Sequence, residues 1–194
     1  MRSPLNSLVL LVVLVSLCFA ENLDVFVATT GDDSNSCTSS EEPCMTLQGA
    51  FSKIGNNTYD GTSVTFSEGK YSGDKNIGVM FPVNVSVSIV SDGAETQVTF
   101  DCADTSLTAF EVSGDVNSVS FGSLYVANCS TGIHFAPNAA GFGLTVDGTD
   151  FHQIEHPLSF RGSYLTVSQC SFNATTHGVE VSTATNVTIE QSFF

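Results

Sequence analysis

Three residues recur at one position of a repeating pattern and carry most of the chemistry the chain can offer. Thr131, His156 and His177 each stand two residues before the first apolar residue of an alternating pair, Ile133-x-Phe135, Leu158-x-Phe160 and Val179-x-Val181. If those pairs stack as neighbouring strands, His156 and His177 lie one strand spacing apart, about 4.8 Å. Glu155 adjoins His156, and Arg161 follows Phe160 at the far end of the same strand. Two imidazoles with a carboxylate suit general acid and base work, or part of a metal site. The plainer reading makes them solvated turn residues at a sheet edge. A second polar stretch, Gly31-Asp32-Asp33-Ser34-Asn35-Ser36, offers Asp32 and Asp33 as ligands for Ca²⁺, which takes about 6 to 8 oxygens. It lacks the spaced acids and distal Glu of a calcium loop, and an Asx-type turn holding an N-terminal cap explains it more simply. No other cofactor is expected.

The elements that must position these residues are legible as a repeat. Leu124-x-Val126, Leu144-x-Val146, Leu165-x-Val167 and Val187-x-Ile189 begin units 20, 21 and 22 residues apart. Five residues into each stand Cys129, Thr149, Cys170 and Ser192; seven in stand Thr131, Phe151, Phe172 and Phe194. A unit this short cannot close a core alone, so neighbours must stack. Helical solenoids need roughly 33 to 47 residues per unit, and the leucine-rich consensus is absent. The spacing predicts a solenoid of β-coils with Val126, Val146, Val167 and Ile189 in one inward ladder and Phe151, Phe172 and Phe194 in another. Earlier strands are expected at 23–28, 64–66, 83–90, 98–100 and 110–112, with longer loops such as 69–78. Residues 46–54 read as a short amphipathic helix with Leu47, Ala50, Phe51 and Ile54 on one face, suited to plugging the open end of the solenoid.

Residues 1–20 look like a secretory signal peptide: Arg2, then an apolar run over 8–17, then Ala20. That run is shorter than the roughly 20 residues of a membrane span, and no transmembrane span is expected elsewhere. Removal of Arg2 takes the formal charge from −15 to −16. Only Lys53, Lys70, Lys75 and Arg161 then remain to meet phosphates, which excludes nucleic acid as a partner. Sequons at Asn56, Asn84, Asn128, Asn173 and Asn186 point to N-glycosylation. Cys37 and Cys44 flank a short loop that a disulfide can close. Cys129 and Cys170, two coils apart, are too distant to bridge. Cys102 pairs with Cys129, leaving Cys170 free, or all three are buried thiols.

The stretches Phe26-Val27-Ala28-Thr29-Thr30-Gly31-Asp32-Asp33-Ser34, Pro43-Cys44-Met45-Thr46-Leu47-Gln48-Gly49-Ala50-Phe51, Val64-Thr65-Phe66 and Glu68-Gly69-Lys70-Tyr71 resemble the N-terminal opening of pectin-lyase-like proteins. The resemblance, with the coils, spans nearly all of 23–194 and implies a right-handed parallel β-helix. It is specific for fold and not for activity. His177-Gly178-Val179-Glu180-Val181 is similar to a Gly-His-Gly-Ile-x-Ile stretch of polygalacturonases. Their Asp-Asp pair would fall on Glu155 and His156, and their Asn-Thr-Asp on Cys129, Ser130 and Thr131. The acid-base aspartates are therefore missing, as is the Arg-x-Lys clamp. Lyase chemistry, which needs clustered acids for calcium and a base, is disfavoured by a single mature arginine.

The expected organisation is a signal peptide over 1–20, a strand, disulfide loop and capping helix over 21–60, and coils over 61–194. These coils stop at Phe194 without a polar cap, so a fragment or an end completed by another chain is expected. The functional expectation is a secreted or cell-surface β-helix that binds an extracellular carbohydrate or protein ligand. The alternative is a carbohydrate-active enzyme, a polysaccharide lyase or glycoside hydrolase, using Glu155, His156, His177 and Arg161.

Overall fold

The computed structural model describes residues 22–55, 61–82, 85–93, 97–114, 116–137, 141–173 and 176–194. The signal-peptide expectation and the sequons at Asn56 and Asn84 lie outside them. The chain opens with β1 (Leu23–Val27) and α1 (Leu47–Ile54). Five turns of three strands follow: β2 (Thr62–Phe66), β3 (Gly69–Tyr71) and β4 (Val79–Met80); β5 (Ser86–Ser91), β6 (Val98–Asp101) and β7 (Thr108–Gly114); β8 (Ser118–Gly122), β9 (Leu124–Ala127) and β10 (Thr131–Pro137); β11 (Gly143–Asp147), β12 (Asp150–His152) and β13 (His156–Arg161); β14 (Tyr164–Ser168), β15 (Ser171–Asn173) and β16 (Val179–Thr183). A last strand, β17 (Asn186–Glu190), begins another turn. First strands stack, with β1 and β17, into a seven-stranded sheet; second and third strands form two five-stranded sheets. Every pairing between these strands is parallel. The fold is thus the parallel β-solenoid that the repeat predicts.

One step of the expected ladder is different. Leu144, Leu165 and Val187 do share a register, as do Val146, Val167 and Ile189. Their partners one turn earlier are Val119 and Phe121 of β8, not Leu124 and Val126. Val126 lies in the second sheet, between Phe100 and Phe151, one ladder away from its expected place. The cause is the corner between β8 and β9, which is a single residue, Ser123, at φ 57°. A corner of one residue is too short to read as a loop despite the Gly122-Ser123 pair, so two strands from different sheets read as interchangeable apolar alternation. Thr131, standing where the other units have Phe, marks the misfit.

Corners turned by a left-handed residue recur and build the stack. Ser123, Gly148, Gln169 and Gln191 turn the chain after the first strand of successive turns, at φ values between 49° and 57°. The N–H groups of Ser123, Gly148 and Gln169 donate to Asp147, Ser168 and Glu190 one turn on. Asn128 and Gln153 do the same after the second strand, while Ala103, also left-handed, donates its N–H to Asp101 Oδ1 and leaves the inter-turn bond to Cys102. A left-handed conformation costs a non-glycine residue roughly 1–2 kcal/mol, offset at Ser123, Asn128, Gln153 and Gln169 by a hydrogen bond to the next turn.

The interior is continuous and aromatic. From α1 inward, Phe51, Phe81, Phe121, Phe110, Phe100 and Phe66 form a chain of ring contacts with centroids 4.7–6.0 Å apart. Tyr71 closes it against Phe66 and donates its hydroxyl to the Ser67 carbonyl at 2.8 Å; burial pushes its pKa up to about 12. Farther along, Phe151 stacks on Phe172 at 5.2 Å and Phe172 on Phe194 at 4.8 Å, the expected second ladder. Two disulfides hold the first half. Cys37–Cys44 closes the loop before α1, and Cys102–Cys129 joins the second turn to the third. Cys170 is a buried free thiol. It sits at a first-strand corner whereas Cys129 sits at a second-strand corner, a stronger reason than distance alone for their not pairing.

The opening edge is covered by α1. Leu47, Ala50, Phe51 and Ile54 are buried, as their spacing predicts. The Thr46 hydroxyl caps the helix by accepting from Gly49 N at 3.0 Å. Asp33 holds the cap: its Oδ1 accepts from the Met45 and Thr46 N–H groups at 2.9 Å each, and its Oδ2 accepts from the Thr46 hydroxyl at 2.8 Å. The Asp33 carboxylate lies against the backbone of Gly49 so closely that a Cβ there would run into it. An exposed helical Gly→Ala change ordinarily stabilises, by up to about 1 kcal/mol. Gly49→Ala is expected to do the opposite and cost roughly 1–3 kcal/mol by overpacking, a sign that urea denaturation reads directly.

Candidate functional site

The histidine pair stands where the chain enters the third sheet. Here too the corners fix the geometry: His156 N–H donates to Ser130 O at 2.9 Å, and His177 N–H donates to Glu155 O at 3.2 Å. Each corner hangs on the one before it. Thr131 and His156 are register partners, as expected, and the His156 and His177 rings stack with centroids 4.6 Å apart and planes 12° from parallel. Both rings are partly exposed, at 29% and 42% of their side-chain surface.

Two carboxylates meet this pair. Glu155 Oε1 lies 3.7 Å from His156 Nε2, and Glu180 Oε2 lies 3.2 Å from His156 Nδ1. Glu180 Oε1 is 3.9 Å from His177 Nε2. The contact at Nδ1 lacks hydrogen-bond alignment, so this shielded nitrogen has no hydrogen-bond partner. Glu180 is the member that sequence reading passes over. Its signal was its place three residues after His177 and its pairing opposite Ser159, on the same outward side as the imidazoles. Arg161 is not part of the group. It lies five residues along β13 from His156, about 17 Å by strand rise.

The other expected sites are used for the fold. Asp32 Oδ1 accepts from Ser34 N–H at 2.8 Å in an Asx turn, which holds its carboxyl below the usual range. Asp33 spends both oxygens on the helix cap. Lys53 donates to the Asp33 carbonyl at 2.9 Å, and Lys70 pairs with Asp101 at 2.6 Å. Burial raises the Asp101 carboxyl, but the bonds from Lys70, Asn128 and Ala103 outweigh it and leave it below the ordinary value. Asn128 donates its Nδ2 to Asp101 at 3.0 Å, while Asn173 and Asn186 are exposed.

The first sheet carries a feature that register alone makes visible. Ser63, Ser88, Ser120, Thr145, Thr166 and Thr188 pair in sequence across six strands, a column of hydroxyls on its outer face. At the α1 end of that column lies an open groove of about 250 Å³, lined among others by Asp24, Ser63, Ser86, Ser88, Ser118 and Ser120.

No protein-family profile matches the chain, and no curated protein matches it. Among solved structures it is similar to a rhamnogalacturonan lyase, with a TM-score of 0.36 and 11% identity over 88% of this chain. The chain spans 62% of that protein's length. An identity of 11% carries no residue roles across, so the site is read from its own geometry.

Cys170 is no nucleophile in this setting. Its thiol donates to the Ser168 and Val146 carbonyls at 3.2 and 3.5 Å, and burial pushes its pKa up to about 11. The thiolate is the reactive form. Alkylation of Cys170 by iodoacetamide in the folded protein is therefore expected to be undetectable at neutral pH, rising only as pH approaches 11 or as denaturant opens the coil. Fast labelling at pH 7 would contradict the burial.

Proposed function

We propose that this chain is a secreted or cell-surface β-helix module that binds an extracellular carbohydrate or protein ligand through its outer faces and does not itself catalyse. The observation carrying this reading is the place of His156, which stands between Glu155 and Glu180 with one carboxylate near each ring nitrogen. Inverting glycoside hydrolysis needs a sugar and a water between two carboxyls roughly 6.5–9.5 Å apart. An imidazole fills that space, and Arg161 is too far along β13 to assist. The hydroxyl column and groove on the first sheet supply the alternative: a regular, rigid, polar surface at strand spacing, which suits an extended polyhydroxylated chain.

The extracellular setting is supported by the two disulfides, which persist in oxidising compartments. Among the described residues no helix is long and apolar enough to cross a membrane. Glycans are expected on exposed Asn173 and Asn186 and not on Asn128, which is half-buried and bonded to Asp101 beside the Cys102–Cys129 bridge. Glycosidase treatment of secreted protein followed by peptide mass spectrometry reads this as Asn-to-Asp conversion; conversion at 128 with none at 173 or 186 would reverse the reading.

For activity, the expected result is no cleavage of polygalacturonate with or without Ca²⁺, measured as unsaturated uronide absorbance and new reducing ends. Enzymes typically lower such barriers by 8 kcal/mol or more, roughly a millionfold, so the assay has ample range. Turnover that disappears in Glu155→Gln or His177→Ala would replace the module reading with the enzyme.

A further inference from the structure

We infer that His156, His177 and Glu180 form a binding site for a divalent transition-metal ion of the zinc, copper or nickel class. The inference goes beyond the module reading and stands independently of it.

The donors are already gathered. One ligand atom from each residue lies within 4.8 Å of the other two. A tetrahedral zinc with bonds of about 2.0–2.2 Å spaces its ligand atoms roughly 3.3–3.5 Å apart. His156 Nδ1 and Glu180 Oε2 stand at 3.2 Å, and His177 Nε2 and Glu180 Oε1 at 3.9 Å. Closing the set requires the parallel rings to tilt toward each other about their second side-chain torsion, which is broad for histidine. The rings are stacked at an open edge, so nothing in the core must move for this.

A second observation points the same way. His156 Nδ1 is shielded and lacks a hydrogen-bond partner, a costly state for a buried nitrogen acceptor or donor. A metal ion between Nδ1 and the Glu180 carboxylate satisfies both groups. Glu155, 3.7 Å from His156 Nε2, is then placed to accept the remaining ring N–H, the arrangement that commonly orients a metal-binding imidazole. Glu155 is thus a positioning residue, not a ligand.

Chemistry selects the ion. Two imidazoles and one carboxylate favour Zn²⁺, Cu²⁺ or Ni²⁺ over Ca²⁺ and Mg²⁺, which prefer all-oxygen sets. The formal charge of −15 adds a general attraction for cations. Three protein donors leave a fourth position for water or a donor from a bound partner.

The test is zinc binding by the untagged, secreted protein, followed by titration calorimetry and by the imidazole proton resonances. One equivalent of Zn²⁺ is expected, shifting two of the four histidine spin systems, with no competition from excess Ca²⁺. His156→Ala and His177→Ala should each weaken binding by at least about tenfold, and Glu180→Gln by about tenfold or more. These side chains lie at the surface edge, so an unchanged denaturation midpoint in each variant shows that the fold survives. Absence of zinc uptake at millimolar concentration, or uptake that survives the His156→Ala/His177→Ala double variant, would overturn the site.

Discussion

Parallel pairing in register is the constraint on which the rest of this protein depends. Each strand hydrogen-bonds to the same element one turn away, so a residue's height along the axis is set by strand spacing and its face by alternation. Inside, this stacks Phe151 on Phe172; outside, it stacks His156 on His177, and the two pairs share nearly the same ring spacing, 5.2 and 4.6 Å. The imidazoles are neighbours for the same backbone reason as the core phenylalanines. A surface site in such a fold needs no loop to assemble it, only the right residue type at the same corner of consecutive turns.

Stacking of this kind leaves the problem of its first edge, where core and unpaired strand both face water. The chain solves it with a single short helix, and an eight-residue helix is marginal by itself. Its stability comes from outside. Asp33 supplies the acceptor set for the cap, Asn76 Oδ1 accepts from Leu47 N–H at 2.9 Å, and the Cys37–Cys44 bridge fixes the loop that presents Asp33. The acidic loop that suggests calcium from sequence is therefore the keystone of the cap. The Cys102–Cys129 bridge acts at the next level, fastening one turn to another across 27 residues of chain, where chain-entropy arguments give a disulfide about 3–4 kcal/mol.

Much of this was legible before any coordinates. The helix followed from four apolar residues at helical spacing, and the third-sheet strands from Ile133, Leu158 and Val179. The histidine pair followed from its constant offset to those strands. What the sequence concealed was hidden for definite reasons. Strand β8 ends in a one-residue corner at Ser123, too short to read as a loop, so its neighbour β9 took its place in the repeat. Glu180 is near His177 in sequence, but only the pairing of β16 with β13 shows that it also reaches the His156 ring. The outward hydroxyl column required the corrected register, since Ser120 belongs to the strand that was missed.

The assembly of turns in this order is the central claim, and one bond reports on it. Cys102 and Cys129 come together only if the second and third turns stack as described, with Asp101 opposite Ala127. Peptide mapping of the folded protein under non-reducing conditions, with free thiols blocked in denaturant at low pH before digestion, reads the pairing directly. The account predicts Cys102 linked to Cys129, Cys37 linked to Cys44, and Cys170 recovered as a thiol. A Cys129–Cys170 link, or Cys102 and Cys129 both recovered free from folded protein, would contradict it.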